Sequence, residues 1–103
     1  AVYFVMDKII NSDENIILYI GETISAGKRW KGEHDCKSYL SNYSETLQKA
    51  NVTTKLNIRF WLDVPINTKE RRKLEQQLIQ AWLPPFNKET RRIWATPFTS
   101  QIN

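Results

Sequence analysis

The sequence predicts an α+β domain, in which a small three-stranded antiparallel sheet is flanked by helices. Two observations predict it. Short β-branched and aromatic runs alternate with longer stretches of helical periodicity, in the order β-β-α-α-β-α. The chain has 103 residues, of which 41% are hydrophobic and 12% aromatic, enough for one core. We expect one domain over residues 1–95 and a tail over 96–103, with Trp94 and Phe98 anchoring the polar C-terminal stretch.

Three runs read as strands. Residues 2–7 and 16–21 are rich in Val, Ile, Tyr and Phe, and the segment between them is polar with Asn, Ser and Asp. Such a pattern predicts an antiparallel hairpin with a long loop. Residues 56–64 alternate between apolar and polar side chains until Pro65, which predicts a third strand.

Three stretches read as helices. Residues 25–35 form a short one weakened by two glycines, and residues 38–50 form a second. Residues 67–83 are the best marked. Asn67 followed by Glu70 resembles a capping box, and a pair of prolines directly after the stretch ends it.

The net charge and its distribution give limited information about binding partners. The formal net charge is +4 and the pI is near 9.3, which only weakly favours a polyanionic partner. The cations gather in three clusters, which solvated helix faces explain equally well: Lys28, Arg29, Lys31 and Lys37; Lys69, Arg71, Arg72 and Lys73; Lys88, Arg91 and Arg92.

The single cysteine and the hydropathy pattern favour a cytoplasmic protein. Cys36 has no partner for an internal disulfide, which suits a reducing compartment, and we interpret it as a packing residue. No apolar run approaches the ~18 residues of a membrane helix. The first residues lack the charged and then apolar pattern of a leader peptide, so we expect none.

Glu75 occupies an unusual place on the third predicted helix. It precedes Leu78, Ile79 and Trp82 by three, four and seven residues, so it lies within the apolar stripe. A carboxylate there costs free energy unless it is paired or binds a metal. Two alternatives stay open: a stripe-edge glutamate that reaches solvent or pairs with an arginine such as Arg71 or Arg72, and a metal ligand or acid/base group.

Five residues carry a resemblance to the GIY-YIG nuclease domain. Ala1-Val2-Tyr3 stands in the place of the first triad, and Tyr19-Ile20-Gly21 matches the second. Arg29 follows as the arginine of the first helix, Glu75 lies in the last main helix, and "LPPFN" ends on Asn87. The resemblance covers residues 1–88 and implies a metal-dependent endonuclease that hydrolyses DNA phosphodiester bonds.

The resemblance also implies a role for each residue. Glu75 holds one divalent cation, Mg²⁺ with Mn²⁺ as an alternative, and Arg29 hydrogen-bonds the scissile phosphate. Tyr19 deprotonates or orients the attacking water, and Tyr3 shares that network. Asn87 positions Tyr3 or Glu75. The side chains expected to contact nucleic acid are Lys28, Arg29, Lys31, Arg71 and Arg72.

Each residue has a simpler interpretation. Tyr3 and Tyr19 are then strand aromatics, Arg29 is a surface cation, and Asn87 caps a helix C-terminus. His34 lies five residues beyond Arg29. Some family members carry a catalytic histidine near this position, so His34 is a candidate base or phosphate ligand, and the alternative is a surface or capping histidine.

Two departures from the family pattern bear on activity. The first triad lacks its glycine, although its tyrosine remains. Glu22 follows Gly21, where the repair branch of the family typically has a lysine that would lower the pKa of the tyrosine. An acidic group would do the reverse, so Lys28, Arg29 or the metal would have to activate Tyr19. As a third departure, we expect no appended DNA-binding module within these 103 residues.

These features leave three functions to compare. The leading hypothesis is the metal-dependent endonuclease. The second is a non-catalytic nucleic-acid-binding module of the same fold, which Glu22 and the incomplete first triad keep open. The third is a structural or interaction domain whose motif match is accidental, and the joint presence of Tyr19, Arg29, Glu75 and Asn87 argues against it.

Overall fold

The computed structural model describes residues 1–8, 14–23, 35–53, 55–94 and 96. It confirms the predicted α+β class, with a three-stranded antiparallel sheet and flanking helices. The elements are β1 (Val2–Lys8), β2 (Asn15–Glu22), α1 (Asp35–Lys49), β3 (Leu56–Trp61), α2 (Thr68–Trp82) and α3 (Arg91–Trp94). The short helix predicted over residues 25–35 lies, except for its last residue, outside the described ranges. No helix within those ranges is long and apolar enough to span a bilayer.

The sheet has the order β2-β1-β3, so β2 is an edge strand. β1 pairs with β2 from Val2 opposite Glu22 to Lys8 opposite Asn15. The register shifts between Val5 and Met6, where Leu18 is the extra residue of a bulge in β2. A bulge places two successive side chains on one side of a sheet. Leu18 and its neighbour Tyr19 accordingly pack in the same cluster.

The two faces of the sheet carry separate clusters. On one face Tyr3, Val5 and Leu18 pack with Tyr39 and Leu40 of α1. The other face packs against α2, and its buried centre consists of Val2, Ile20 and Ile79. Helix α1 and helix α2 therefore cover opposite faces, and β2 contributes side chains to both.

The third strand is shorter than predicted. The pattern predicted a strand over residues 56–64, but β3 ends at Trp61. Trp61 pairs with Val2, the first residue of β1, so no partner strand continues beyond it. The chain then turns, with the Val64 N–H donating to the Leu62 carbonyl over 2.9 Å. Strand length here depends on the partner strand and not on the alternation alone.

Helix α2 begins and ends where the sequence indicates. The Asn67 side chain accepts a hydrogen bond from the Glu70 N–H over 3.0 Å, which confirms Asn67 as the N-cap. Leu83 adopts a left-handed conformation with φ 48°, and its N–H donates to Ile79. Pro84 follows directly. The remaining helix, α3, was not predicted; Trp94 at its end is 53% exposed, and its indole N–H donates to the Leu83 carbonyl.

Gly21 is a position where the fold tolerates no side chain. It pairs with Tyr3 across the β1–β2 ladder, and the Tyr3 ring lies directly over it. A Cβ on Gly21 would overlap the Cζ and Oη atoms of Tyr3. The glycine of the Tyr-Ile-Gly triad therefore makes room for the tyrosine of the neighbouring strand.

We predict that Gly21→Ala destabilises the protein by about 1–3 kcal/mol, because the new methyl group forces the Tyr3 ring out of its packed position. The free energy of unfolding in urea measures the effect. The same substitution in a Tyr3→Leu background removes the overlapping ring atoms, so its cost there should fall below about 1 kcal/mol. An equal cost in both backgrounds would contradict this account of Gly21.

Candidate active site

Tyr3 and Tyr19 meet on the α1 face of the sheet. Their ring centroids lie 6.1 Å apart, with the planes tilted by 35°. Phe60 of β3 flanks Tyr3 on the other side at 6.0 Å. Tyr3 is 1% exposed, whereas Tyr19 is only partly buried. Of the two phenols, Tyr19 is the one that the fold presents towards solvent.

Asn87 binds the backbone of β2 as a short extra strand would. Its Nδ2 donates to the Ile20 carbonyl, and its Oδ1 accepts from the Ile20 N–H, both over 2.8 Å. One residue earlier, the Phe86 N–H donates to the Leu18 carbonyl over 3.0 Å. Residues 86 and 87 thus satisfy the open edge of β2 on either side of Tyr19, and they fix the backbone that carries this side chain.

This arrangement bears on both sequence-based interpretations of Asn87. The side-chain hydrogen bonds that the structure gives for Asn87 go to the backbone of Ile20, between Tyr19 and Gly21, and not to Tyr3 or Glu75. The helix-cap alternative is wrong, since Leu83 is the C-cap of α2. Asn87 is 3% exposed and lies behind the edge strand.

Glu75 lies in the middle of a stripe along α2. Arg71, Glu75 and Ile79 follow one another at intervals of four residues, which places them on one side of the helix. Arg71 is 2% and Ile79 0% exposed. Ile79 packs against Ile20, and Arg71 bonds Glu22 two residues further along β2. Both ends of the stripe are therefore docked on β2, which directs Glu75 between them towards the same strand.

The Glu75 carboxylate is half-buried and has a raised pKa. Burial raises the pKa to about 7, and the negative charges of Glu22 and Glu89 add to the rise. A long hydrogen bond from Gln76 Nε2, 3.4 Å from Oε1, and the charge of Arg72 act in the opposite direction. Within the described ranges Glu75 forms no ion pair. The expected ion pair with Arg71 or Arg72 is wrong, because both arginines bind Glu22. The alternative of a stripe-edge glutamate that reaches solvent stays open, since Glu75 is only partly buried.

Glu22 is the acceptor that joins β2 to the start of α2. Arg71 Nε donates to its Oε2 over 2.8 Å, and Arg72 Nε donates to its Oε1 over 3.2 Å. Arg71 also donates to the Ile66 carbonyl over 2.7 Å and to Thr68 Oγ1 over 3.3 Å. Burial acts to raise the pKa of Glu22, but the hydrogen bonds and positive charges of Arg71 and Arg72 together lower it below its ordinary value. The carboxylate faces α2 with its charge compensated, whereas Tyr19 packs on the α1 face.

The predicted phosphate contacts divide into three groups. Arg71 is buried and its guanidinium is occupied, which argues against a contact with nucleic acid. The Arg72 side chain is 69% exposed and remains a candidate. The other predicted cations and the histidine lie outside the described residues: Lys28, Arg29, Lys31 and His34. The structure thus brings together Tyr3 and Tyr19, and it places Glu75 on a helix that covers the other face.

The oxygen chemistry around Glu75 fits a hard divalent cation. Where the structure describes side chains, no group of three or more His, Cys, Asp and Glu could enclose a metal ion. Mg²⁺ does not need such a cage, because it keeps several waters and is commonly held by one or two carboxylates together with substrate phosphates. A half-buried carboxylate that forms no ion pair with a described residue meets that requirement. Glu75 could hold Mg²⁺ or Mn²⁺.

Sequence reasoning missed the partners of Glu22. It treated this residue only as a neighbour of Tyr19 with an unfavourable charge. A usable signal was present: Glu22 and Ile20 are two residues apart, so they point to the same face of a strand. Ile20 is apolar and fully buried against α2, and Glu22 must then meet α2 as well, where two adjacent arginines occur.

We predict that Glu75→Gln stabilises the metal-free protein at pH 8 and has little effect at pH 4. The pKa of Glu75 is higher in the folded protein, about 7, than its ordinary 4.5, so the folded state binds the extra proton between these values. Stability therefore falls as the pH rises through this window, and the amide variant escapes the loss. After discounting for the exposed part of the group, the gain at pH 8 is about 1–2 kcal/mol.

The control for that measurement is Glu70→Gln, which removes a charge from an exposed position of the same helix. Urea unfolding at several pH values should show no comparable gain for this variant. A Glu75→Gln protein that is no more stable than wild type at pH 8 would contradict the claim that burial raises the pKa of Glu75.

We predict that Asn87→Ala costs about 2–4 kcal/mol of folding free energy, since it leaves two buried backbone groups of Ile20 without partners. The Ile20 amide proton should then exchange faster with solvent, which NMR detects directly. Lys88→Ala, at the exposed neighbouring position, is the control. An unchanged exchange rate at Ile20 would show that Asn87 does not hold the strand.

Comparison with known proteins accounts for this combination of strands and side chains. A family model described as the GIY-YIG catalytic domain matches residues 1–89, which include both tyrosines, Glu75 and Asn87. The comparisons with curated proteins and with solved structures gave no match. GIY-YIG domains are nuclease domains that generally use divalent metal ions and act on DNA. The match covers most of the chain, and the chain therefore belongs to the GIY-YIG nuclease family.

Proposed function

We propose that the chain is an endonuclease that hydrolyses DNA phosphodiester bonds with the help of one divalent cation, Mg²⁺ or Mn²⁺. The observation that carries the proposal is the state of Glu75. This carboxylate is directed towards β2 by the docked residues four positions before and after it, and it forms no ion pair with a described residue. Its burial without a counter-ion costs stability, a cost that binding a cation would offset.

Glu75 is the metal ligand in this proposal. When bound, the cation supplies positive charge at the phosphoryl oxygens and lowers the pKa of water. Glu75 itself contributes one carboxylate, which a single side chain can offer to a hydrated Mg²⁺. Its raised pKa means that a proton competes with the cation below about pH 7.

Tyr19 is the residue that acts on the attacking water. It is the partly exposed member of the tyrosine pair, and its backbone lies between the two points where residues 86 and 87 hold β2. Its hydroxyl accepts a hydrogen bond or a proton from water. Tyr3, which is buried against Tyr19 and Gly21, supports the orientation of that ring.

Basic side chains take the remaining roles, which are to bind the scissile phosphate and the DNA backbone. Arg29 binds the scissile phosphate through its guanidinium, which can donate two parallel hydrogen bonds to phosphate oxygens. His34 is a second phosphate ligand or the base. Lys28, Lys31 and the exposed Arg72 contact the DNA backbone without reading sequence. We leave Arg71 out of this set because it is buried.

We predict that the wild-type chain nicks supercoiled plasmid in Mg²⁺ or Mn²⁺. Glu75→Ala, Arg29→Ala and Tyr19→Phe should each lower the rate by about 100-fold or more, because each removes one group that the reaction needs. Gel separation of supercoiled, nicked and linear DNA measures the rate. Glu70→Ala is the matched control on α2 and should nick as the wild type does.

The outcomes separate the candidate functions. Absence of nicking across metals and salt, with DNA binding retained in a mobility-shift assay, would assign a non-catalytic nucleic-acid-binding module. Nicking that survives Glu75→Ala would show that the metal ligand is another group, or that a contaminant cuts the plasmid.

A further inference from the structure

Two arginines on α2 are spaced to pair with Glu75 and do not. Arg71 precedes Glu75 by four residues and Arg72 precedes it by three. Side chains three or four positions apart on a helix are neighbours, and oppositely charged ones attract each other. Arg72 is close enough for its charge to act on the pKa of Glu75. These two arginines are therefore engaged elsewhere, with Glu22.

The group that engages them is Glu22. Each of its two carboxylate oxygens accepts one Nε–H, from Arg71 over 2.8 Å and from Arg72 over 3.2 Å. The Glu22 side chain is 13% exposed and that of Arg71 3%, so this half of the cluster is screened from water. Ion pairs at such sites are much more persistent than exposed ones, which water and salt weaken.

We propose that Glu22 keeps Glu75 available for the divalent cation by holding Arg71 and Arg72, the two arginines whose helical spacing would otherwise pair them with Glu75. This inference rests on the proposed function, in which Glu75 is the metal ligand. Glu22 touches neither the metal nor the DNA in this scheme. It is a positioning residue that acts through the two arginines.

The consequence of losing Glu22 follows from the same geometry. Glu22→Gln removes the negative charge, and Glu75 becomes the carboxylate that the helical spacing offers to both guanidinium groups. A cation then has to displace an ion pair before it binds. We expect the affinity of the DNA-free protein for Mn²⁺ to fall by about tenfold, which corresponds to one partly buried ion pair.

The sharpest test starts from a variant that avoids a buried unpaired charge. Glu22→Gln alone leaves Arg71 without its counter-ion and can unfold the protein. Glu22→Gln/Arg71→Gln removes both partners together, and circular dichroism verifies that it folds. In this background Arg72 is the one left of the two arginines that precede Glu75 by three or four residues. Mn²⁺ binding, measured by calorimetry without DNA, should therefore be weaker than in the wild type.

A matched pair of third substitutions separates ion pairing from net charge. Arg72→Gln and Lys73→Gln each remove one positive charge from an exposed, adjacent position of α2. Lys73 precedes Glu75 by two residues, and side chains at that spacing do not face each other. Arg72→Gln should restore Mn²⁺ affinity at least about threefold more than Lys73→Gln does. Equal effects, or wild-type affinity in the double variant, would overturn the proposal.

Failure of the proposed function is visible separately. If the wild type binds no Mn²⁺ in a manner that Glu75→Ala abolishes, then the metal role of Glu75 is wrong. The crystal structure of the metal-free double variant still decides the arginine question. An Arg72 guanidinium bonded to Glu75 would support the proposal that Glu22 keeps this arginine from pairing with Glu75. An Arg72 side chain turned to solvent would overturn it.

Discussion

The ion pair between Arg71 and Glu22 is the contact on which the arrangement of the site depends. It joins the last residue of β2 to the first turns of α2, and the same guanidinium also binds the Ile66 carbonyl in the turn before the helix. With Ile79 packed on Ile20 two turns later, α2 is held against β2 at two points. Glu75 lies halfway between Arg71 and Ile79 on the same side of α2, so it is directed towards β2 as they are.

β2 carries Tyr19 on one face, and on its other face it binds the helix that carries Glu75. Its one face presents Tyr19 and the gap at Gly21 that the Tyr3 ring fills, and its other face presents Ile20 and Glu22 to α2. As an edge strand it needs a partner on its outer side, and residues 86 and 87 supply one. Residues of the two triads and the asparagine that ends the family pattern therefore also have structural roles. Gly21 leaves room for the Tyr3 ring, and Asn87 satisfies the backbone of β2.

Local signals in the sequence predicted much of this structure. The Asn67 cap, the end of α2 before two prolines and the place of Glu75 on a buried stripe all follow from spacings within one helix. The sequence did not predict contacts between distant segments. Glu22 and Arg71 are 49 residues apart, and Ile20 and Asn87 are 67 apart. Contacts between such distant residues produce no periodic pattern in the sequence from which they could be predicted. The early end of β3 likewise depends on where β1 begins.

The most direct test of the central claim is a crystal structure of the wild-type protein soaked with Mn²⁺, with data collected at a wavelength where manganese scatters anomalously. Our account predicts an anomalous peak about 2.2 Å from a carboxylate oxygen of Glu75, with waters completing the coordination. A peak at other side chains, or an Mn²⁺-saturated crystal in which Glu75 is paired with an arginine and carries no metal, would contradict it.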